Sequence, residues 1–326
     1  MSYTQLTLAD RIEIYSMLQR GSIEEKIALK LRRHRSTIYR EMKRNSPYGE
    51  YRPHIAQRLS QGRRTTRGVQ AKFRPEIIAW IEYGIRKKWS PDQVRGRLFL
   101  ETGLWVSTEW IYSWILKDKK KGGILWTHLR RANRKRRKRY GKVDHRAGPI
   151  KDRVSIEKRP EIIETRSRVG DLEGDTVVGK NHRGNIITLV DRVSLKANLA
   201  LLTERKDSHR CARSIIKSVK TFGGKVHSLT FDNGSEFASH KWIKFKTGTD
   251  IYFAHPYCSY ERGTNENLNG LLRQYLPKKT DFSCLKKTEV KRIEKALNER
   301  PRKTLCYLTP NEFHRHMSAR EGGTVK

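Results

Sequence analysis

Apolar positions recur at helical spacing in the front of the chain and fall into short strand-like runs after Pro149. Leu8, Ile12, Tyr15 and Leu18 mark one helix face, and Gly21 ends it where a left-handed residue closes a helix. Ser22-Ile23-Glu24-Glu25 has the form of a capping box. A second helix therefore starts at about Ile23 and faces inward with Ile23, Ile27 and Leu31. A break at Arg33-His34 leads to a third helix, N-capped by Ser36, with Ile38 and Met42 inward and Asn45-Ser46-Pro47 as its stop. Three short helices with a tight break predict a helix-turn-helix over residues 1–60, whose last helix enters the major groove of DNA. Arg35, Ser36, Thr37, Tyr39, Arg40, Lys43 and Arg44 are then left to meet bases and phosphates. A plain three-helix bundle with a solvated basic face is the competing reading.

Residues 61–74 are rich in Gly, Arg and Thr and read as a linker. The helical logic then repeats over 61–118. Ile77, Ile78 and Ile81 share one helix. Ser90-Pro91-Asp92-Gln93 starts the next with an N-cap, a first-turn proline and a capping Gln, and Val94 and Leu98 continue it. Gly103 breaks that helix and Ser107 caps a third, on which Trp110, Ile111, Trp114 and Ile115 fall on the inward period. This predicts a second helix-turn-helix whose tryptophans serve its core.

Beyond residue 150 the period shortens. Strands are predicted over 174–179, 186–190, 199–202, 226–231 and 251–254. Ser208 caps a helix carrying Cys211, Ile215, Ile216 and Val219, and further helices cover 236–246 and 264–275. Three strands, a helix, a strand, a helix, a strand and a helix is the order of a ribonuclease-H-like α/β fold, so the whole is an α+β multidomain chain with all-α modules in front. In that fold the first and fourth strands are neighbours at the sheet centre.

Charge names the partner. The chain of 326 residues has a formal net charge of +37, from 71 Lys and Arg against 34 Asp and Glu. Such an excess fits a polyanion, nucleic acid above all, because each neutralised phosphate releases counterions; a ribosomal or chromatin-like scaffold would be equally basic, and it is the helix-turn-helix reading that makes the partner double-stranded DNA. Between Lys119 and Val143 stand twelve Lys or Arg and no acid, a basic linker over 119–150 suited to a phosphate backbone. Cysteines 211, 258, 284 and 306 have no zinc or redox spacing, and no apolar run approaches the length of a membrane span. These imply reduced thiols in a cytoplasmic, nucleoid-associated protein with no membrane partner.

The chemistry is carried by acids. Asp175 lies at the first strand, Asp232 closes the fourth within Phe231-Asp232-Asn233-Gly234-Ser235-Glu236-Phe237, and Glu266 sits on the helix after the fifth. Singly, each has a plain explanation: a strand-end acid, a turn-forming Asp-Asn-Gly and a surface helix acid. Jointly they fall at one sheet edge of residues 151–326. Hard carboxylate oxygens there suit magnesium, and two such ions roughly 3.5–4 Å apart can activate a nucleophile and stabilise a leaving oxygen in phosphodiester chemistry. Asn269 and Arg273 share the face of Glu266, Asn269 to orient substrate and Arg273 to hold a phosphate. The competing acids are placed elsewhere: Asp191 far from the edge, Glu236 as a helix cap, Asp171 and Glu173 ahead of the first strand and facing solvent.

Glu173-Gly174-Asp175, the block 231–237, Arg262-Gly263-Thr264-Asn265-Glu266-Asn267 and Asn269-Gly270 together resemble the signature blocks of bacterial insertion-sequence transposases of the IS-thirty family. Ser36-Thr37-Ile38-Tyr39-Arg40-Glu41, Asn298-Glu299-Arg300-Pro301-Arg302-Lys303 and Leu308-Thr309-Pro310 are similar as well, and the likeness covers nearly the whole chain. It departs at Leu172, where the family often has Trp, and at Arg33-His34, where a small residue is usual. The resemblance implies a DDE transposase with Asp175, Asp232 and Glu266 as ligands of magnesium, manganese being a substitute. It implies that the front modules read terminal inverted repeats, and that cleavage is followed by strand transfer into target DNA, a reaction that brings two ends together in a homodimer or larger oligomer. A DNA-binding regulator with an inactive core, or a structure-specific nuclease, are the alternatives.

Overall fold

The computed structural model describes residues 5–46, 49–65, 75–130, 150–203, 207–256 and 258–322. The rest of the expected linker, 66–74, and the basic stretch 131–149 lie outside the described residues. The chain divides into two compact units, Met1–Ala132 with Pro301–Leu308, and Asn133–Arg300 with Thr309–Lys326.

In the first unit, α1 (Leu8–Gln19), α2 (Glu24–Lys30) and α3 (Arg35–Asn45) are followed by α4 (Pro53–Thr65), which runs into the stretch read as linker. Ile14, Ile27, Ile38, Tyr51 and Ala56 make their common core. Two inward assignments fail. Ile12 is 48% exposed, because the inward place on α1 beside Ile14 goes to Arg11, and Ile23, which stands before the first turn of α2, is exposed too. That side chain is buried and directs its guanidinium to Leu6 O, Gln57 Oε1 and Glu41. The caps differ as well. The N-cap of α2 is Ile23, with no side-chain bond, since Glu25 pairs with Arg35 at 2.7 Å instead of reaching back to its own helix. At α3 the ring of His34, not Ser36, accepts the Ser36 amide.

Helices α5 (Pro75–Arg86), α6 (Pro91–Thr102) and α7 (Thr108–Lys120) follow. The Ser90–Gln93 capping box, the left-handed Gly103 and the Ser107 cap form as the sequence predicts. Trp110 and Trp114 stack at 5.9 Å against a core of Ile77, Ile81, Ile85, Val94, Leu98, Ile111 and Ile115.

The second unit is built on one five-stranded sheet, preceded by the short α8 (Glu161–Glu164). Its strands are β1 (Asp171–Val178), β2 (Asn185–Asp191), β3 (Ala197–Leu202), β4 (Ser228–Phe231) and β5 (Asp250–Phe253), in the order β3-β2-β1-β4-β5. The first three pair antiparallel, while β4 runs parallel to both β1 and β5. Helices α9 (Ser208–Lys220) and α10 (His240–Thr247) cover one face, burying Leu172, Leu189, Leu229, Phe231 and Phe253. Helices α11 (Gly263–Tyr275) and α12 (Lys287–Asn298) cover the other, over Val177, Ile186, Val190 and Leu199, and α13 (Pro310–Gly322) closes the described chain. Coverage on both faces explains why every residue of β2 is buried. This order and direction of strands is the ribonuclease-H-like fold.

Two local expectations give way here. First, β1 begins at Asp171, so Asp171 and Glu173 are strand residues buried in the sheet, not solvent-facing acids ahead of it. Arg168 and Ser228 take up the Asp171 carboxylate, which makes that burial tolerable. Second, Asp207 caps α9 in place of Ser208, accepting from the amides of His209 and Arg210. Next to Glu173, Gly174 is a packing requirement: a Cβ there would come within 2.3 Å of the Phe231 ring. Among the described residues no helix is long and apolar enough to cross a membrane.

Candidate active site

Parallel pairing of β1 with β4 sets Glu173 beside Thr230. Continuing that register by two residues brings Asp175 beside Asp232, at the edge where β4 ends. One guanidinium serves both: Arg262 Nη2 lies 3.2 Å from Asp232 Oδ2, and Nη1 lies 3.8 Å from Asp175 Oδ1 while donating to Gly174 O at 3.1 Å. Asp175 also accepts from its neighbour's amide, Thr176 N, and from Asn269 Nδ2 at 2.7 Å. Burial first, and the Asp232 charge second, oppose its ionisation and push its pKa up to about 6. Asp232 Oδ1 accepts from Gly234 N, so the turn-forming role of Asp-Asn-Gly coexists with a second oxygen turned to Arg262.

Glu266 stands exposed on the first turn of α11. Among the described residues no three His, Cys, Asp or Glu side chains are gathered closely enough to hold a metal ion as they stand. Asp175 and Asp232 are thus brought together, and Glu266 is placed on the adjoining helix without joining them. The donor set still fits a hard divalent cation. Two carboxylates face each other, one of them resists ionisation, and an arginine has been drawn toward both.

Asn269 reaches the site as the face of α11 requires. Arg273 goes elsewhere, donating to Val178 O at 2.9 Å and lying over the Phe282 ring. Asp191, the last residue of β2, is buried and accepts from the amides of Gly170 and Ser194. Glu236 does not cap a helix: it is buried and accepts from Thr176 Oγ1 at 2.5 Å, next to Asp175. Sequence reasoning missed Arg262 and Glu173 as members of this neighbourhood. Their adjacency to Gly263 and Asp175 in the two signature blocks was the available signal.

On α3, Arg35, Tyr39, Arg40, Lys43 and Arg44 are exposed, and Ser36 and Thr37 are half-buried. Arg35 is engaged by Glu25, Ser36 by the His34 ring, and Lys43 lies over the Tyr39 ring. Glu41, on the opposite face, pairs with Arg11 and accepts from Tyr51, which fixes how α3 is turned.

A helix-turn-helix in front of a ribonuclease-H-like core with facing aspartates defines a DNA-recombining enzyme of the transposase and integrase class. A family profile described as a helix-turn-helix domain matches residues 2–45. The transposase for insertion sequence element IS4351 of Bacteroides fragilis is 42% identical over 94% of both chains. That for element IS1086 of Cupriavidus metallidurans is 34% identical over 94% of this chain and 93% of that one. Transposase InsI of element IS30C of Escherichia coli K12 is 32% identical over 94% of this chain and 82% of its own. The catalytic core of BIV integrase, a solved structure, is 18% identical, covers 47% of this chain and 98% of its own, and superposes with a TM-score of 0.37. The chain belongs to the insertion-sequence transposases, in the IS30 family.

Proposed function

We propose that this transposase binds the terminal inverted repeats of its insertion sequence, cleaves the phosphodiester at each end and joins the freed 3′-hydroxyls to target DNA. The reading is carried by Asp175 and Asp232 facing each other across β1 and β4, with the Asp175 pKa pushed up to about 6. Asp175, Asp232 and Glu266 are the residues that would hold divalent cations, magnesium or in its place manganese. When bound, the ions supply activation of the attacking oxygen and stabilisation of the leaving one.

The chain's own groups have separate tasks. Asp175 and Asp232 must both be ionised, and Asn269, hydrogen-bonded to Asp175, holds that carboxylate in one orientation. Arg262 neutralises the pair before substrate arrives. In the first step water attacks phosphorus and the bond to the 3′-oxygen breaks, leaving a 3′-hydroxyl on the element and a 5′-phosphate on the flank. In the second, that 3′-hydroxyl attacks a target phosphodiester, releases a target 3′-hydroxyl and forms the new joint. Residues 1–60, reading through α3, and 61–118 select the ends, the basic stretch 119–150 follows the backbone, and 151–326 carries catalysis. Two ends in one complex call for at least two copies, acting on nucleoid DNA in the cytoplasm.

The test is strand transfer of a labelled inverted-repeat end by the purified chain with magnesium. Joined products that vanish with chelator agree with the reading. End binding without nicking would leave the regulator alternative, and nicking without joining the nuclease.

A further inference from the structure

Helix α11 begins without a side-chain cap of its own: the residue before it, Arg262, makes no capping bond. The first amides of any helix lack partners within it. Here the acceptor comes from the sheet. Glu173 Oε2, on β1, accepts the Asn265 amide at 2.9 Å, and the Asn265 side chain donates back to Glu173 O at 3.0 Å. Both residues are almost wholly buried. Thr188 Oγ1 on β2 then bonds Asn265 Oδ1 at 3.0 Å and Asn269 Oδ1 at 3.1 Å, and Asn269 Nδ2 bonds Asp175.

A carboxylate is an odd choice for that place if stability were the whole purpose. Glu173 Oε1 is buried with no hydrogen-bond partner, and its counter-charge, Arg192, stands no closer than 3.8 Å. A buried, half-satisfied carboxylate is a poor stabiliser. Its satisfied oxygen does something an apolar residue cannot, which is to fix the first turn of α11 in position and rotation. Residues 266 and 269 are helix neighbours on one face, so whatever fixes Asn265 and Asn269 also fixes the direction of Glu266.

We propose that Glu173 is a positioning residue: it caps α11 from the sheet and, with Asn265, sets the place and rotation of the helix turn that carries Glu266, from which that exposed side chain is to reach a cation shared with Asp175 and Asp232. The inference rests on reading those three acids as the cation ligands. Partners behind metal ligands typically change affinity by about 10–100-fold when removed.

The experiment measures binding of Mn2+ alone to the full chain, by the signal of the free ion, beside cleavage of a pre-bound end. Glu173→Leu is expected to weaken Mn2+ binding about 10–100-fold and to slow cleavage, with inverted-repeat binding and the circular-dichroism spectrum retained. Glu173→Gln, which keeps an acceptor for the Asn265 amide, is expected to fall between wild type and Leu. Wild-type Mn2+ binding by the Leu variant overturns the proposal, and so does a Gln variant as poor as Leu. If the Leu chain does not fold, Asn265→Ala decides, with weakened Mn2+ binding supporting the proposal and unchanged binding overturning it. Glu266→Gln is the separate control. Full Mn2+ binding and cleavage in that variant would defeat the ligand reading itself, whatever the Glu173 variants do.

Discussion

Asn269 on α11 donates its side-chain amide to the Asp175 carboxylate on β1 at 2.7 Å. The helix that carries Glu266 is therefore attached directly to one of the two facing aspartates. Replacing Asn269 by Ala frees one oxygen of Asp175 and loosens the attachment. We expect cleavage to fall by roughly 10–100-fold while end binding stays within about twofold. Single-turnover cleavage of a pre-bound labelled end measures the first, and a gel shift the second. Asp232→Asn removes a charge instead of an orienting bond and should abolish cleavage and joining with end binding intact. Loss of binding in parallel would count against both assignments.

Arg262 places one positive charge beside both Asp175 and Asp232. Removing it takes that charge away from two opposed carboxylates, whose mutual repulsion a divalent cation relieves. For Arg262→Ala we expect a lower unfolding temperature without metal and a larger rise on adding magnesium than the wild type shows. Thermal melts with and without magnesium test it, and equal magnesium-induced rises in both proteins would defeat it.

Much of this site was legible because its residues sit where local signals are strong. Asp232 lies in an Asp-Asn-Gly turn, and Glu266 follows Gly263 at a helix start. The succession of strands and helices was enough to set β1 beside β4. What local pattern could not reveal are partners from other elements. Asp171 and Glu173 read as solvent-facing because a strand buried on both faces does not ordinarily carry two acids. Arg168, Ser228, Arg192 and the Asn265 amide, which make those acids tolerable, are mostly remote in sequence. The same holds for Ser22 and Glu25, whose capping box does not form because Arg35 claims Glu25.

Arg40 is exposed on α3, on the face turned away from the Ile38 core. If α3 reads the inverted repeat, Arg40→Ala weakens end binding and leaves Mn2+ affinity untouched. Should Arg40 grip a phosphate, the variant binds all sequences more weakly and its slope of log affinity against log salt falls by about 1. Should it meet a base edge instead, preference relaxes at one position, at a cost of about 1–3 kcal/mol. Fluorescence anisotropy over a salt series distinguishes them. An unchanged affinity and footprint would remove α3 from the reading surface.

The orientation of α3 itself depends on Arg11. Its guanidinium is 2% exposed and lies 2.7 Å from Glu41, which also accepts from Tyr51. Burial, reinforced by the Glu41 charge, pushes the Tyr51 hydroxyl pKa far up, so it remains a donor to that carboxylate at any working pH. Truncating Arg11 to Ala leaves Glu41 largely buried without its counter-charge, a change that costs about 3–5 kcal/mol in comparable pairs. Denaturant unfolding followed by helix signal should register it, with end binding weakened as α3 loses its anchor. Arg11→Met with Glu41→Leu, which removes both charges, should recover much of the stability. A double variant no better than Arg11→Ala would mean that the pair is not what holds the helix.

The segment leading from β5 into α11 is held by His255, whose ring Nδ1 and backbone amide both meet Glu261 at 2.8 Å, while Nε2 lies 3.2 Å from Glu157. The Glu261 hydrogen bond raises the His255 pKa above its ordinary 6.5. A histidine whose folded pKa is raised adds stability that is fully present below the unfolded value and is lost as pH climbs through the folded one. The clamp is therefore strongest below about pH 6.5 and released on the alkaline side. Nuclear magnetic resonance titration of the imidazole should place His255 above 6.5, and Glu261→Gln should bring it back toward that value. Proteolysis within residues 258–262 should quicken as pH rises in the wild type and be rapid throughout in Glu261→Gln. A His255 that titrates at its ordinary value in both proteins would show that the clamp does not form.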